Sequence, residues 1–440
     1  MISYIKSLLE RSIELKKYYE VKPISNFNID IDLPGSKSIS NRALILASFE
    51  NKWVTIENLL FSDDTIYMIE GLKKLGVQIE VSSDQKIVKV KGMSRRNFGK
   101  KELYVGNAGT AMRFLCSFIA TGHGEVILDG NDRMKERPIK DLVDALRDLN
   151  ISVEYLKNEG FPPIKIISNG VIADKIKIDC SKSSQYLSSL LLSACYFKRP
   201  LQIDVVEKIV SKPYLDMTIK MVQEFGGRIE VLKNGFKTIP STYDLDYFLI
   251  EGDMSSASYF LAAALIGNAE ITLNNFFKNS LQGDIKFLNI LQTLGLEIKN
   301  QTNTSITVKG IPSYSGIKVN LNEAPDVAQT LAIVALFANS PTEILDVENM
   351  RIKETDRIKA LKNEIEKIGG IFEEYQDGFK IIPCKNYNGA DIETYDDHRM
   401  AMSFSLAGLK IPGIKILNPS CVSKTFPQYF DYFERIYKKK

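Results

Sequence analysis

A short polar loop runs directly into an apolar helix of small residues at Gly106-Asn107-Ala108-Gly109-Thr110-Ala111-Met112-Arg113. The same pattern occurs six times along the 440 residues. Steps of 72, 74, 72, 72 and 72 residues separate its equivalent points, which are Ser38, Thr110, Ser184, Ser256, Ala328 and Met400. A period this long indicates one supersecondary unit that is used six times.

A second marker follows the same period. An amphipathic helix ends in an apolar residue and then enters a strand, and the residue between them is Gly76, Asn150, Gly226, Gly295 or Gly369. Gly and Asn are the residues that take the left-handed conformation just after a helix. The repeat therefore predicts helix ends at these five places.

The sixth copy cannot be completed from the C-terminus, because one further period after Gly369 falls beyond Lys440. The alternating segment Asn28-Ile29-Asp30-Ile31-Asp32-Leu33 predicts a strand. We expect this strand to complete the sixth unit from the other end of the chain. Both termini would then lie in one domain.

Composition indicates a compact protein with a buried core, since 44% of the residues are hydrophobic and 25% are charged. The length predicts two or three domains, and six repeats divide most simply into two groups of three. The net charge is only +3, from 57 basic and 54 acidic residues. No polyanion-binding surface is indicated, so we do not expect a nucleic-acid partner.

The five cysteines are scattered and form no Cys-x-x-Cys pair, which is typical of a reduced compartment without disulfides or structural zinc. The chain has only two histidines, His123 and His398, so no His-based metal site is expected. The usual glycine-rich nucleotide motifs are also absent, and we expect no cofactor.

The longest apolar runs, residues 259–266 and 331–338, are too short to span a membrane. The first residues lack a signal-peptide pattern, and the spacing of Ile5, Leu8, Leu9 and Ile13 predicts an amphipathic surface helix. We therefore expect a cytoplasmic protein without a membrane partner.

The six helix starts carry the chemistry. A helix N-terminus bears partial positive charge and free N–H groups, so it favours phosphates and carboxylates. Six such starts that converge on one cleft would bind anions strongly. The hypothesis to test is therefore an anionic substrate.

Several polar clusters allow both a structural and a functional interpretation. Lys353-Glu354-Thr355-Asp356-Arg357 precedes an apolar-periodic helix, so capping by Thr355 or Asp356 competes with catalysis. Asp326 follows Pro325 at a helix start, where an N-cap is the common role. The loop from Asp129 to Pro138 could be a solvated charged loop or a binding loop.

Taken together, the clusters resemble one family, 5-enolpyruvylshikimate-3-phosphate synthase, in order from Leu33 to Phe430. The matching motifs are Leu33-Pro34-Gly35-Ser36-Lys37-Ser38, Gly106-Asn107-Ala108-Gly109-Thr110-Ala111-Met112-Arg113, Arg133-Met134-Lys135-Glu136-Arg137-Pro138-Ile139, Ser183-Ser184-Gln185, Val210-Ser211-Lys212-Pro213-Tyr214, Glu251-Gly252-Asp253, Lys353-Glu354-Thr355-Asp356-Arg357, Asp397-His398-Arg399-Met400-Ala401 and Lys424-Thr425-Phe426-Pro427. Nine motifs in order on a matching repeat are highly specific. One departure is Phe114, where several relatives carry Pro.

The resemblance implies an α/β fold of two domains, an inside-out α/β barrel of six βαβαββ repeats with three per domain. It places the active site in the cleft between the domains. Residues 36–251 would form an inserted domain, and residues 1–35 with 252–440 would form the other.

The resemblance also implies the reaction. The family transfers the enolpyruvyl group of phosphoenolpyruvate to the 5-hydroxyl of shikimate 3-phosphate and releases phosphate, through a tetrahedral ketal, in aromatic amino acid biosynthesis. One acid and one base are needed. By position, Asp326 is the proton acceptor, Glu354 transfers the methylene proton, and Lys37 lies between the substrates.

The remaining site residues follow from the same motifs. For shikimate 3-phosphate, the matching positions are Lys37, Ser38, Arg42, Ser183, Ser184, Gln185, Ser211, Tyr214, Asp326, Asn349 and Lys353. For phosphoenolpyruvate, they are Lys37, Gly109, Arg137, Gln185, Arg357, Arg399 and Lys424. Planar Arg forks suit a ligand with a carboxylate and a phosphate.

Two alternatives stay open at this point. UDP-N-acetylglucosamine enolpyruvyl transferase shares the fold, but it would be expected to show Lys-Asn rather than Lys37-Ser38, and a Cys in the loop that Asp129 to Pro138 forms here. A non-catalytic anion-binding protein on the same scaffold would be expected to have lost an acid or base. We expect a monomer that takes the two small substrates and is sensitive to glyphosate, since Gly109 is typical of sensitive members.

Overall fold

The computed structural model describes residues 17–93 and 95–438, so the predicted helix around Ile5 to Ile13 lies outside the described residues. No helix within these two ranges is long and apolar enough to cross a membrane. The described chain contains twelve α-helices, which are α1 (Lys37–Ala47), α2 (Asp63–Lys74), α3 (Gly109–Ala120), α4 (Lys140–Asp148), α5 (Gln185–Ala194), α6 (Lys212–Glu224), α7 (Met254–Gly267), α8 (Lys286–Thr293), α9 (Ala328–Leu336), α10 (Arg357–Lys367), α11 (His398–Ala407) and α12 (Tyr429–Tyr437).

Short strands alternate with these helices. In chain order they are β1 (Tyr18–Val21), β2 (Asn28–Asp32), β3 (Val54–Glu57), β4 (Gln78–Val81), β5 (Ile87–Lys91), β6 (Asn97–Tyr104), β7 (His123–Asp129), β8 (Ser152–Tyr155), β9 (Ile164–Asn169), β10 (Lys175–Ile178), β11 (Leu201–Val205), β12 (Arg228–Leu232), β13 (Gly235–Ile239), β14 (Tyr247–Leu249), β15 (Glu270–Asn274), β16 (Glu297–Gln301), β17 (Ser305–Lys309), β18 (Lys318–Asn320), β19 (Thr342–Leu345), β20 (Ile371–Glu374), β21 (Phe379–Ile382), β22 (Asp391–Ile392) and β23 (Ile414–Leu417).

The chain divides into two compact units. The inserted unit runs from Gly35 to Glu251, and the terminal unit combines the chain up to Pro34 with the chain from Gly252 onward. Between Gly35 and Glu251, three four-stranded sheets have the orders β14-β3-β5-β4, β6-β7-β9-β8 and β10-β11-β13-β12. In each of these sheets the first pair is parallel and the other two pairs are antiparallel.

The terminal unit repeats the same plan. Its sheets have the orders β2-β15-β17-β16, β18-β19-β21-β20 and β22-β23-β1. The first strand of each sheet again pairs in parallel with the second. Three sheets in each unit are the six repeats that the 72-residue period predicts.

One prediction about the sixth repeat is wrong. Asn28–Asp32 is a strand, but it pairs in parallel with Glu270–Asn274, in the sheet of the fourth repeat. Tyr18–Val21 completes the sixth sheet instead, antiparallel to Ile414–Leu417. The alternation of Asn28 to Leu33 indicates a strand correctly but does not select a partner. Its partner is chosen by burial, since Ile29 lies opposite Ile271, Ile31 lies opposite Leu273, and all four side chains are buried.

In each repeat the first helix is buried and the second is amphipathic. Helix α9 is buried along its whole length, and α7 along nearly all of it. The buried helices α1, α3 and α5 contact one another in the inserted unit, and α7, α9 and α11 do so in the terminal unit. Helices therefore form the centre of each unit, which explains why the helix starts recur with small residues.

The predicted helix ends are confirmed. Gly76, Asn150, Gly226, Gly295 and Gly369 have φ angles of +103°, +63°, +99°, +102° and +87°. Each lies two positions after the last residue of its helix, which is α2, α4, α6, α8 or α10. The left-handed turn closes each second helix and starts the following strand.

Candidate active site

Arg357 lies at the centre of a charged cluster in the terminal unit. It is 1% exposed, and it donates from Nε to Asp397 Oδ2 at 2.7 Å, from Nη1 to Asp326 Oδ1 at 3.1 Å and from Nη2 to Glu354 Oε2 at 2.7 Å. Burial lowers the pKa of Arg357, but the carboxylates of Asp397, Glu354 and Asp326 outweigh burial and raise that pKa above its usual range. The guanidinium is therefore charged at every ordinary pH.

Arg399 contacts the other oxygen of the Asp326 carboxylate. Its Nη2 donates to Asp326 Oδ2 at 2.8 Å, and its Nη1 donates to the backbone oxygen of Asp326 at 3.2 Å. Nη1 also lies 3.3 Å from the hydroxyl of Tyr259, whose pKa burial raises to about 12. Asp326 is thus fixed by two arginines, one on each carboxylate oxygen.

Lys424 approaches the second carboxylate of the cluster. Its Nζ lies 3.9 Å from Glu354 Oε1, and both side chains are largely buried. Asn349 and Lys353 lie on and just after the 3-10 turn Glu348–Ile352, which leads to Glu354. Three cations, Arg357, Arg399 and Lys424, therefore lie among three carboxylates, Asp326, Glu354 and Asp397.

Local sequence explains why these side chains point into the cluster. Asp356 caps α10 by accepting from Lys359 N, which places Glu354 just before the helix and Arg357 as its first residue. Asp397 caps α11 by accepting from Arg399 N at 2.8 Å. Asp326 lies in the 3-10 turn Pro325–Val327, and its carboxylate accepts from Arg357 and Arg399. The capping alternative therefore holds for Asp356, whereas the carboxylates of Asp326 and Glu354 bind cations.

The inserted unit has a polar cluster around Arg42, which is 1% exposed. Arg42 donates to the backbone oxygens of Ser38 (2.9 Å) and Tyr214 (3.1 Å), and to Thr218 Oγ1 (2.8 Å). Burial lowers its pKa to about 10. The ring of Phe114 lies 5.1 Å from Arg42 Cζ, so the departure at this position places an aromatic face beside the cation.

Two neighbours of this cluster have unusual environments. Lys37, the first residue of α1, forms an ion pair with the buried Asp64 at 3.2 Å. Ser211 precedes α6 in the left-handed conformation, with φ +53° and ψ +45°. A non-glycine residue in this region is held there by its surroundings, and such strain is concentrated at functional positions.

A second cluster in the inserted unit surrounds the start of α3. Arg137 donates from Nη1 to the backbone and side-chain oxygens of Asn107, both at 3.0 Å. Arg113 donates to Gln185 Oε1 at 2.7 Å, and Gln185 Nε2 donates to Thr110 Oγ1 at 3.3 Å. The amide of Gln185 is thereby oriented by its two neighbours.

The charged loop from Asp129 to Pro138 has a mixed character. Arg133 pairs with the exposed Glu136 at 2.8 Å, as a solvated loop would. Arg137, by contrast, is only 5% exposed. Ser183 and Ser184 lie just before α5, and Ser183 Oγ accepts from Gln185 N at 3.3 Å.

Sequence reasoning did not assign roles to Asp64, Arg113 or Asp397, although each contacts a predicted site residue. Arg113 and Asp397 belong to motifs that carry the resemblance, so the sequence contained a signal that could have identified both as site residues. Asp64 stands in the acidic first turn of α2, where favourable interaction with the helix dipole explains it equally well. Within the described ranges, no group of three or more His, Cys, Asp or Glu side chains could hold a metal ion.

Comparison with known proteins agrees with this picture. The sequence profile of EPSP synthase (3-phosphoshikimate 1-carboxyvinyltransferase) matches residues 21–433. The 3-phosphoshikimate 1-carboxyvinyltransferase of Vibrio vulnificus (strain YJ016) is 44% identical over 418 residues, which cover 93% of this chain and 97% of that protein. The enzyme of the same name from Shewanella sediminis (strain HAW-EB3) is 42% identical over 424 residues, covering 95% and 99%.

The fold has solved counterparts. A structure of EPSP synthase from Acinetobacter baumannii superposes with a TM-score of 0.77 at 24% identity, covering 95% of this chain and 98% of that one. The profile match and the relatives above 40% identity decide the assignment: the chain belongs to the EPSP synthase (3-phosphoshikimate 1-carboxyvinyltransferase) family.

Proposed function

We propose that the charged cluster around Arg357 and the two polar clusters of the inserted unit carry the family reaction, the transfer of the enolpyruvyl group of phosphoenolpyruvate to the 5-hydroxyl of shikimate 3-phosphate with release of phosphate. One observation supports this most directly. Asp326 and Glu354 bind the two Nη atoms of the same buried guanidinium, that of Arg357. A base and an acid are thus held side by side on one rigid cation.

The chemistry requires such a pair. The methylene carbon of phosphoenolpyruvate takes up a proton while the substrate hydroxyl loses its own and its oxygen attacks the adjacent carbon. The resulting ketal then loses a methyl proton and expels phosphate, which restores the double bond. Asp326 accepts the hydroxyl proton. Glu354, which takes up a proton from solvent once phosphoenolpyruvate displaces it from its cations, delivers that proton to the methylene carbon and later removes one from the resulting methyl group.

Phosphoenolpyruvate binds through cations that are paired with carboxylates in the cluster described above. Arg357, Arg399 and Lys424 supply the planar and point charges that its carboxylate and phosphate need. Arg137, Gln185 and the backbone at Gly109 complete the set. An incoming anion competes with Asp326 and Glu354 for these cations, so binding frees both carboxylates for proton transfer.

Shikimate 3-phosphate binds through hydroxyls and cations that are drawn from both units. These residues are Lys37, Ser38, Arg42, Ser183, Ser184, Gln185, Ser211, Tyr214, Asp326, Asn349 and Lys353. The buried Arg42 supports this role by fixing the backbone of Ser38 and Tyr214. Lys37 serves both substrates and stabilises charge on the leaving phosphate.

The assay is phosphate release from phosphoenolpyruvate with shikimate 3-phosphate as acceptor. A parallel reaction offers UDP-N-acetylglucosamine as the alternative acceptor. Phosphate release only with shikimate 3-phosphate is expected. Release with the nucleotide sugar alone, or with neither acceptor, would contradict the proposal.

We also propose that the inserted and terminal units are the two domains of the fold, and that the chain acts as a cytoplasmic monomer. Five free thiols, four of them buried, support a reducing compartment. Light scattering after gel filtration tests the monomer against the 49.6 kDa chain mass.

A further inference from the structure

A fourth carboxyl lies beside the Asp326 cluster, and the reaction as proposed does not use it. Asp284 belongs to the 3-10 turn Gly283–Ile285 and is 4% exposed. Its Oδ2 accepts a hydrogen bond from Ser255 Oγ. Among the described residues, its buried Oδ1 has no hydrogen-bond partner. An ionised carboxylate with an unfilled oxygen is costly to bury, so this environment favours the neutral acid.

Ser255 connects Asp284 to the proposed site. Arg399 Nη2 lies 3.3 Å from Ser255 Oγ, and the same nitrogen donates to Asp326 Oδ2 at 2.8 Å. The order of contacts is therefore Asp284, Ser255, Arg399 and Asp326.

The turn that carries Asp284 is fastened to the helix that carries Ser255. Gln282 Oε1 accepts from Met254 N at 3.0 Å, and Gln282 Nε2 donates to the backbone oxygen of Gly252 at 2.7 Å. The geometry around Ser255 is therefore fixed by contacts between the side chain of Gln282 and the backbone at the start of α7.

We propose that Asp284 is a positioning residue for the reaction: as a neutral acid it holds Ser255 and Arg399 against Asp326, and its ionisation weakens the binding of phosphoenolpyruvate by Arg399. This inference rests on the proposed roles of Arg399 and Asp326. It adds a residue that touches neither substrate but sets the charge balance around Arg399, one of the cations proposed to bind phosphoenolpyruvate.

The charges that face Asp284 are consistent with a transition near neutral pH. Burial raises the pKa of Asp284 to about 7, and the negative charges of Asp326 and Asp253 add to this, while Arg399 and the hydrogen bond from Ser255 oppose it. Lys286, on the adjoining helix, is paired with the exposed Glu323. Above pH 7 the ionised Asp284 therefore places a further negative charge beside Arg399.

The test is the Michaelis constant for phosphoenolpyruvate from pH 6 to 8.5, at saturating shikimate 3-phosphate, in the wild type and in Asp284→Asn. Asparagine keeps the shape and removes the ionisation. Substrate ionisations are the same for both proteins and cancel in the ratio of their constants. The ratio of wild type to variant should rise by about tenfold across this range, the factor that one pKa unit of coupling gives.

Two further variants separate positioning from a general structural effect. Ser255→Ala cuts the link and should reduce the pH-dependent component as Asp284→Asn does. The exposed Asp377→Asn should follow the wild type at every pH. Parallel profiles in wild type and Asp284→Asn, or only a pH-independent fall in turnover, would overturn the inference.

Calorimetry gives a readout that needs no turnover. Phosphoenolpyruvate binding at pH 7.5, measured in two buffers of different ionisation enthalpy, should take up more protons in the wild type than in Asp284→Asn. Equal proton uptake by the two proteins overturns the inference, whether or not the assay shows phosphate release. Absence of phosphate release contradicts only the proposed function.

Discussion

Arg399 Nη2 lies 2.8 Å from Asp326 Oδ2, while Arg357 Nη1 holds the other oxygen of the same carboxylate at 3.1 Å. A carboxylate with a guanidinium on each oxygen is well oriented. The two positive charges also favour the ionised form, so this carboxylate becomes a stronger base when one of the contacts loosens. An anionic substrate that attracts either arginine supplies that change, which couples substrate binding to the readiness of the base.

Asp326→Asn should therefore lower turnover by about 100-fold or more, because the amide cannot accept the hydroxyl proton. The fold should persist, since the amide oxygen still accepts from one arginine. Turnover is measured by phosphate release, and circular dichroism monitors folding. The exposed Asp377→Asn is the matched control. Near-normal turnover of folded Asp326→Asn would remove this residue from the mechanism.

Glu354→Gln should lower turnover by at least ~100-fold as well, and it should act on a different proton. In deuterated water, the wild type should place deuterium on the methylene carbon of phosphoenolpyruvate, and the variant should do so far more slowly. Glu366→Gln, an exposed change on α10, is the control. Unchanged deuterium incorporation in Glu354→Gln would assign the proton transfer to another group.

Particular residues show how far the sequence could predict this protein. The 72-residue period can be counted directly in the sequence. The turns at Gly76 and Gly226 could also be predicted, because a left-handed turn depends on the residue that occupies it. The assignment of Asp326, Glu354 and Arg399 as site residues came from motifs, and it remains a proposal. The structure brings these three residues together in one cluster.

The rest depended on contacts that no local pattern encodes. Asn28–Asp32 alternates as a strand should, yet its partner strand begins at Glu270, more than 200 residues away. Asp284 lies in a segment without a distinctive motif, and its significance arises only from burial beside Ser255. A buried carboxyl is thus visible only once the tertiary structure is known.

The stability of the wild type should depend on Asp284 in a defined pH window. Its pKa rises from an ordinary value of 3.8 to about 7 in the folded chain. A group whose folded pKa is raised contributes stability that is fully present below the unfolded pKa and is lost as pH rises through the folded value. Between pH 4.5 and 7.5, the Tm of Asp284→Asn should therefore rise by roughly 3–6 °C relative to the wild type.

Differential scanning calorimetry at several pH values measures this difference. The exposed Asp377→Asn should show a constant offset from the wild type over the same range. A constant offset for Asp284→Asn as well would mean that this carboxyl is already ionised in the folded chain at pH 4.5, so that folding does not raise its pKa.

Shikimate 3-phosphate should compact the chain, because its proposed contacts come from both units, with Ser38 and Ser211 in one and Asn349 and Lys353 in the other. Small-angle scattering with and without the ligand measures the radius of gyration. A decrease is expected at saturation, and phosphoenolpyruvate alone serves as the comparison. An unchanged radius at saturation would count against the proposal that this ligand binds residues of both units.

Gly109 begins α3, and a Cβ atom added there would lie 2.7 Å from Arg137 Nη2, 2.9 Å from Arg137 Cζ and 3.0 Å from Arg113 Nη1. Gly109→Ala should therefore displace the guanidinium of Arg137 and narrow the proposed phosphoenolpyruvate site. The affinity for glyphosate, the bulkier ligand of that site in this family, should fall more than the affinity for the substrate, because steric exclusion discriminates by size. The inhibition constant should rise by about tenfold or more, and the Michaelis constant for phosphoenolpyruvate by a smaller factor.

Gly71→Ala, in another helix of the same unit, is the control. Its added Cβ would meet only apolar atoms, with Leu115 Cδ1 at 2.9 Å. Equal, small changes in both constants for Gly109→Ala would show that Gly109 does not line the site, and a wild type that resists glyphosate would contradict its assignment to the sensitive members.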